Sequence, residues 1–142
     1  MIFICFLLIV SIFLISAFFA GNISTFINFD SMLIVFLGSV ISSLSVSLGR
    51  KTILLIGIKQ MFELKLYSNR NIETGNMFKT ISIMTIATGV CSTAQGLITS
   101  SLINLTEYST KQIFSYASFT TIYSIILVSF LFVPIIYINS EK

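Results

Sequence analysis

Four long apolar stretches, separated by polar segments, dominate the pattern of hydrophobic and polar positions along the chain. They cover about residues 2–20, 31–48, 80–105 and 112–138, and none of them contains Asp, Glu, Lys or Arg. About 20 apolar residues in a helix are enough to cross the hydrocarbon core of a bilayer. The pattern therefore predicts an all-α, polytopic membrane protein with four transmembrane helices, which we call the first to fourth spans.

The composition agrees with this prediction and limits the chain to a single domain. Of the 142 residues, 56% are hydrophobic and only 9% are charged, whereas about a quarter of the residues of an average soluble domain are charged. Too few polar residues exist to cover a water-soluble core. We expect one membrane domain, residues 1–142, in the inner (cytoplasmic) membrane of the cell.

The first apolar stretch could be mistaken for a secretory signal peptide. No basic residue precedes it, its apolar run is longer than a signal-peptide core, and Phe18 disrupts a small-residue cleavage pattern ending at Ala20. We therefore expect it to be retained as the first span.

The basic residues indicate the orientation of the spans. The loop of residues 50–79 holds six Lys or Arg residues and two acids, and such an excess is typical of cytoplasmic loops. This loop and both termini are therefore predicted to be cytoplasmic. Within the loop, Thr52 to Leu66 are predicted to form a short interfacial helix, which Asn69 to Gly75 would end.

The third and fourth spans each carry a stripe of small and hydroxyl residues. Gly89, Thr93 and Gly96 share one helical face, and Thr85 and Ser100 extend it by a turn at each end. The corresponding arc of the fourth span consists of Ala117, Thr120, Thr121, Ser124 and Val128. Two interpretations stay open, because hydroxyls inside a membrane can bond neighbouring helices together or can line an ion path.

Other positions in the spans point to helix packing and bending. Gly38 and Ser42, at i and i+4 in the second span, have the spacing that lets helix backbones approach closely in lipid. Pro134 removes a backbone hydrogen bond late in the fourth span, so a bend or hinge is predicted near Phe130.

Several classes of function find no support in the sequence. The chain lacks His, paired carboxylates and a Gly-rich phosphate loop, so we expect neither an enzyme nor a metal or cofactor site. Its few basic residues form no patch of the kind that binds nucleic acid. Without Asp, Glu, Lys, Arg or His in any span, the chain alone has no group to take up and release a proton in the membrane, and a second protein would have to supply one.

Three segments in register resemble MotA-type flagellar stator subunits, members of the MotA/TolQ/ExbB family. Residues 89–98, GVCSTAQGLI, resemble the family's third-helix run G-L-L-G-T-V-x-G-L-I. Residues 120–124, TTIYS, and 132–134, FVP, resemble its fourth-helix T-T-L-Y-G and F-L-P. Residues 26–38, FINFDSMLIVFLG, resemble the F-I-D-x-P-S-L-L-I-V-x-G-G that opens the second helix of MotA proteins. The resemblance covers the second, third and fourth spans by motif and all four by order and topology.

The resemblance implies the channel-forming subunit of a motor driven by the ion-motive force. In that family five copies surround two single-span, MotB-like partner chains, each bearing a membrane Asp, and threonines of the third and fourth helices line the path beside that Asp. These threonines correspond here to Thr93, Thr120 and Thr121, with Gly89 and Gly96 allowing close approach. The transported ion would be H⁺ or Na⁺, and the residues do not distinguish the two.

Some features depart from the family and leave alternatives open. Ile86 and Asp30 stand where the family has prolines, and the loop of residues 50–79 is several times shorter than the cytoplasmic domain with which stators push the flagellar rotor. What such a motor would drive is therefore open. The alternatives are a non-conducting membrane scaffold, a degenerate stator remnant, and a TolQ/ExbB-like energiser of an envelope partner.

Overall fold

A computed structural model of the chain describes residues 28–62, 70–102 and 110–140, together with isolated positions between 4 and 15. Side chains 100–102 and 110–116 are outside this description. Of the described residues 92% are helical and none is in a strand. The helices are α1 (Phe29–Val46), α2 (Lys51–Phe62), α3 (Ile72–Leu102), α4 (Thr110–Leu127) and α5 (Val133–Asn139), with a π-helical segment, Val128–Phe132, joining α4 to α5.

Two asparagines set the starts of α1 and α3. The Asn28 side chain accepts a hydrogen bond from the Ser31 backbone N–H at 3.2 Å, and the Asn71 side chain accepts one from the Glu73 N–H at 3.0 Å. Each satisfies a backbone donor that the first helical turn leaves without a partner. Residues 47–50 form a short turn between α1 and α2, where Gly49 adopts a φ of 80°, which suits glycine.

Helix α3 lies at the centre of the fold and packs against every other described helix. Its contact with α1 is close at Gly38, where an added Cβ atom would lie 2.5 Å from Cγ2 of Thr88. Helix α4 is held to the start of α1 by a 3.2 Å hydrogen bond from the Asn28 N–H to the Tyr123 hydroxyl. Three consecutive helical units, α1, α3 and α4 to α5, thus form one bundle.

An apolar core occupies one half of this bundle. It consists of Met77, Phe78, Ile81, Val128, Phe132 and Ile135, all less than 7% exposed. The rings of Phe78 and Phe132 meet edge to face, with centroids 5.7 Å apart. Because these residues come from α3, the π-helical segment and α5, the core joins the third and fourth spans.

Three described helices are long and apolar enough to cross a membrane: Phe29–Val46, Ile72–Thr99 and Ala117–Asn139. They coincide with the predicted second, third and fourth spans and indicate a membrane protein. The predicted first span, residues 2–20, lies almost wholly outside the described residues. Four spans, the cytoplasmic placement of both termini and the interfacial position of α2 therefore stay predictions.

The helix boundaries differ from the predicted ones in two places. Helix α3 begins at Ile72, so the residues from Ile72 to Gly75, expected to interrupt the helix, form its first turn instead. The cap at Asn71 accounts for this, because its backbone oxygen also accepts from the N–H groups of Thr74 and Gly75. Helix α2 spans Lys51–Phe62 where residues 52–66 were predicted, and residues 63–69 lie outside the described part.

Candidate functional site

The three threonines predicted to line an ion path meet in one cluster between α3 and α4. The Thr93 hydroxyl oxygen lies 2.7 Å from that of Thr120 and 2.8 Å from that of Thr121. It also lies 3.0 Å from the carbonyl oxygen of Gly89 and 2.8 Å from that of Ala117. We call these five oxygens the threonine cluster. The resemblance had implied that the three threonines lie together, and the fold brings them together.

The threonine cluster contains more pairs of oxygen atoms at hydrogen-bonding distance than it has hydroxyl hydrogens. Besides the four distances to Thr93, the Thr120 hydroxyl lies 2.9 Å from the Ala117 carbonyl and the Thr121 hydroxyl lies 3.3 Å from the Gly89 carbonyl. A threonine hydroxyl carries one hydrogen, and a carbonyl carries none. The three hydrogens cannot bond all six oxygen pairs. Acceptor lone pairs therefore remain that can accept a hydrogen bond from, or coordinate, another group.

The cluster is open on one side. Thr120 is only 4% exposed, while Thr93 and Thr121 are half-buried and the next turn of α3, at Ala94 and Gly96, is exposed. Among the described residues, no charged side chain takes part in the hydrogen bonds of the three threonines. The described helices therefore do not enclose the cluster completely on this outer side of the α3–α4 pair.

Gly89 allows the two helices to approach closely enough to form the cluster. A Cβ atom at this position would clash with Oγ of Ser124 and would lie 2.8 Å from its Cβ and 2.9 Å from the Thr120 carbonyl oxygen. Gly96, on the same face two turns later, has more room, because its added Cβ would lie 3.5 Å from Cβ of Ala117. Of the three predicted packing glycines, Gly38 and Gly89 are thus in tight contact, and Gly96 is not.

Pro134, the predicted hinge, lies at the start of α5, directly after the π-helical segment. There the Val133 N–H bonds to the carbonyl of Val128, five residues back. The predicted irregularity near Phe130 therefore has the form of a π-helical turn, a feature that is frequent at functional sites. The apolar core surrounds this region, so Pro134 does not belong to the threonine cluster.

Sequence reasoning missed a buried amide cluster at the far end of the bundle. The Asn139 side chain is 1% exposed and donates to Oε1 of Gln60 at 2.7 Å and to the Ile135 carbonyl at 2.8 Å. Its own oxygen accepts from the Asn71 backbone N–H at 2.9 Å. An Asn at the end of a long apolar run was the available signal, but the sequence does not show that Gln60 lies beside it.

Two further hydroxyls, on α3, are buried and unsatisfied. Thr74 and Thr85 are fully buried, and neither hydroxyl oxygen has a hydrogen-bond partner among the described residues. The predicted stripe did include Thr85, yet this residue faces the packed interior and takes no part in the threonine cluster. Ser100, at the other end of the stripe, has its side chain outside the described set.

The part of the chain that the structure describes holds no group of three His, Cys, Asp or Glu side chains able to bind a metal ion. The oxygens of the threonine cluster are hydroxyl and carbonyl atoms, which suit a proton donor or a hard cation such as Na⁺. The chain matches no protein-family model, no curated protein and no solved structure. Membership of the MotA/TolQ/ExbB family therefore stays a prediction from the three motifs.

Proposed function

We propose that this chain is the ion-path subunit of a motor of the MotA type, which forms a ring around a single-span partner carrying a membrane Asp. The observation that carries the proposal is the threonine cluster. It joins the three threonines singled out by the resemblance, has more acceptor positions than hydrogens, and is open on its outer side.

The packing of the bundle supports a path along the outside of the subunit. Between the third and fourth spans, the cytoplasmic half of the bundle in the predicted orientation is filled by the apolar core, including Phe78, Phe132 and Ile135. A bare ion cannot cross such a region without a polar partner. The ion would therefore travel on the partner's carboxylate, past the open side of the cluster.

The chemistry of the threonine cluster fits a group that changes its charge. When the partner Asp is ionised, the hydroxyls of Thr93 and Thr121 can rotate to donate hydrogen bonds to it, which lowers the cost of holding a carboxylate in the membrane. When the Asp is protonated, its O–H can donate to the acceptor oxygens of the cluster. With Na⁺ as the ion, the same oxygens can act as ligands. Loading and release would then step the ring around its partner.

The first test concerns assembly. A tagged chain purified with mild detergent from the membranes of its native cells should bring with it a chain that has one N-terminal span bearing an Asp, and native mass spectrometry should give a 5:2 ratio. A stable monomer without such a chain would refute the proposed assembly. A partner of another architecture, spanning the envelope, would favour the TolQ/ExbB-like alternative.

The second test concerns the hydroxyls themselves. Thr93→Val and Thr121→Val keep the shape of the side chain and remove one hydrogen-bonding group each. A hydrogen bond to a charged group is worth about 1.5–3 kcal/mol, so each change should lower ion flux in vesicles from the native membranes about tenfold or more. Thr88→Val is the matched control, because the Thr88 hydroxyl bonds only back to the Met84 carbonyl of its own helix, at 2.9 Å.

The outcome also separates the proposal from the scaffold alternative. If both variants assemble normally and keep wild-type flux, the hydroxyls serve packing between α3 and α4 alone. If flux falls in these variants although they assemble and resist unfolding as well as wild type and Thr88→Val, a packing role does not explain the result. Replacing external Na⁺ by K⁺, and separately changing the pH gradient, identifies the ion.

A further inference from the structure

Helix α2 exposes an apolar stripe on the side that faces away from the bundle. Leu55, Ile58 and Phe62 lie at spacings of three and four residues, and they are 63%, 38% and 60% exposed. Such spacing places them on one face of the helix. Lys51, one turn before Leu55 on the same face, is also exposed. We call Lys51, Leu55, Ile58 and Phe62 the outer face of α2.

The opposite side of α2 is fixed to the ends of the spans. Gly57 is buried against the ring of Phe78, and an added Cβ there would clash with that ring. Gln60 is 4% exposed and shares the buried amide cluster with Asn139, the last residue of the candidate span Ala117–Asn139. Helix α2 therefore packs near the ends of two candidate spans, and the predicted topology puts its outer face at the edge of the membrane.

The residues around this face are mostly basic. Within 50–62 and 70–79, the structure describes exposed Arg50, Lys51, Lys59, Arg70 and Lys79, and one acidic residue, Glu73. Arg70 precedes Asn71, which bonds to the amide cluster, and Lys79 follows Phe78, which lies against Gly57. Both therefore attach beside the held side of α2, whereas Lys51 lies on the outer face itself and Arg50 directly precedes it. An exposed apolar stripe bordered by cations is typical of helices that lie in an anionic membrane surface.

We propose that the outer face of α2 binds anionic phospholipid. The side chains of Leu55, Ile58 and Phe62 enter the boundary of the acyl chains, and Arg50 and Lys51 contact the phosphate groups. This binding holds the amide cluster, and with it the end of the fourth span, against the leaflet on the cytoplasmic side of the predicted orientation. The inference rests on membrane insertion alone and does not depend on the proposed ion path.

A tryptophan introduced into α2 can report the bound lipid directly, because the chain contains no Trp. The purified full chain carrying Leu55→Trp is placed in vesicles of equal parts phosphatidylcholine and phosphatidylglycerol, with one of the two lipids brominated on its acyl chains. Excitation at long wavelength avoids the five tyrosines. One basic side chain near the surface enriches an anionic lipid about fivefold, so brominated phosphatidylglycerol should quench several-fold more strongly than brominated phosphatidylcholine.

Three controls test what determines the quenching ratio, that is, the quenching by brominated phosphatidylglycerol divided by that of brominated phosphatidylcholine. Phe36→Trp, 62% exposed on α1, should be quenched about equally by both lipids. Adding Arg50→Gln and Lys51→Gln to the Leu55→Trp chain should bring its quenching ratio close to one. Adding Lys111→Gln instead should not change the ratio, because Lys111 lies at the start of α4, at the other end of the bundle. Raising the salt concentration to 0.5 M should reduce the ratio, since surface electrostatics are screened.

Two results would overturn the proposal. Equal quenching of the Leu55→Trp chain by both lipids would mean an apolar contact without headgroup preference. Absence of quenching by either lipid would mean that protein covers this face, for example a second copy of the chain. The variant Phe62→Trp gives a second, independent position on the same face and should show the same preference.

Discussion

Replacing Gly89 by alanine tests whether close helix approach holds the threonine cluster together. The added methyl group would lie 2.9 Å from the Thr120 carbonyl oxygen and 2.8 Å from Cβ of Ser124, and would overlap Oγ of that serine. Two of these atoms cannot turn away, because one is backbone and the other is a Cβ atom. Helix α4 must therefore move away from α3, which separates Thr93 from its partners.

Gly96→Ala supplies the matched control on the same helical face. Its methyl group would lie 3.5 Å from Cβ of Ala117, an ordinary van der Waals distance. Both substitutions gain about 1 kcal/mol of helix propensity, so this term cancels when the two variants are compared. The difference that remains is the cost of overpacking, about 1–3 kcal/mol. Gly89→Ala should be less stable than Gly96→Ala by that amount.

The difference can be measured by SDS titration of the purified chain in mixed micelles, with helix content followed by circular dichroism. The double variant Gly89→Ala/Ser124→Gly should recover part of the loss, because it removes the serine atoms but not the Thr120 carbonyl. Equal midpoints for Gly89→Ala and Gly96→Ala would refute the close approach of α3 and α4. Absence of coupling with Ser124 would show that the loss has another origin.

Three further predictions concern buried groups outside the threonine cluster, the first two measured by the same titration and the third by limited proteolysis. Thr85→Val should raise the stability by about 1 kcal/mol, since it removes a fully buried hydroxyl without a hydrogen-bond partner; a lower midpoint would show that an unseen group satisfies it. Asn139→Leu should cost about 2–3 kcal/mol because it leaves the buried Gln60 amide without its partner, and adding Gln60→Leu should restore part of this. Gly57→Ala should loosen α2, because its methyl group meets the Phe78 ring; limited proteolysis should then cut next to α2 faster, and adding Phe78→Leu should slow that cut.

The sequence predicted the second, third and fourth spans, and a polar face on each of the last two, because these follow from length and periodicity. Apolar stretches of sufficient length define spans, and i, i+4 and i+7 spacing defines a face. Periodicity put Thr93 and Thr120 each on the polar stripe of its helix, the resemblance implied that the two lie together, and the structure brings their hydroxyl oxygens to 2.7 Å. The ion that such a cluster serves does not follow from spacing, and neither does the partner.

Periodicity does not give the register between two helices, and the missed features depend on register. Gly89 and Gly96 look equivalent in the sequence, but one meets Ser124 and the other meets Ala117, so only the first is in tight contact. The pairing of Gln60 with Asn139 joins residues 79 positions apart, and no local pattern predicts such a contact. The π-helical form of the segment before Pro134 likewise depends on how α5 packs against α3.

The two polar clusters of this bundle differ in burial and in how completely their hydrogen-bonding groups are satisfied. Around Asn139 the amide hydrogens and the oxygens are matched by Gln60, Asn71 and a carbonyl, and the cluster is almost fully buried. A satisfied, buried network rigidifies a fold and offers nothing to a ligand. Around Thr93 three hydrogens face six short oxygen-oxygen distances, and one side is open. The acceptor lone pairs left over there could bind an added proton donor or cation, so the proposed ion path concerns the second cluster and not the first.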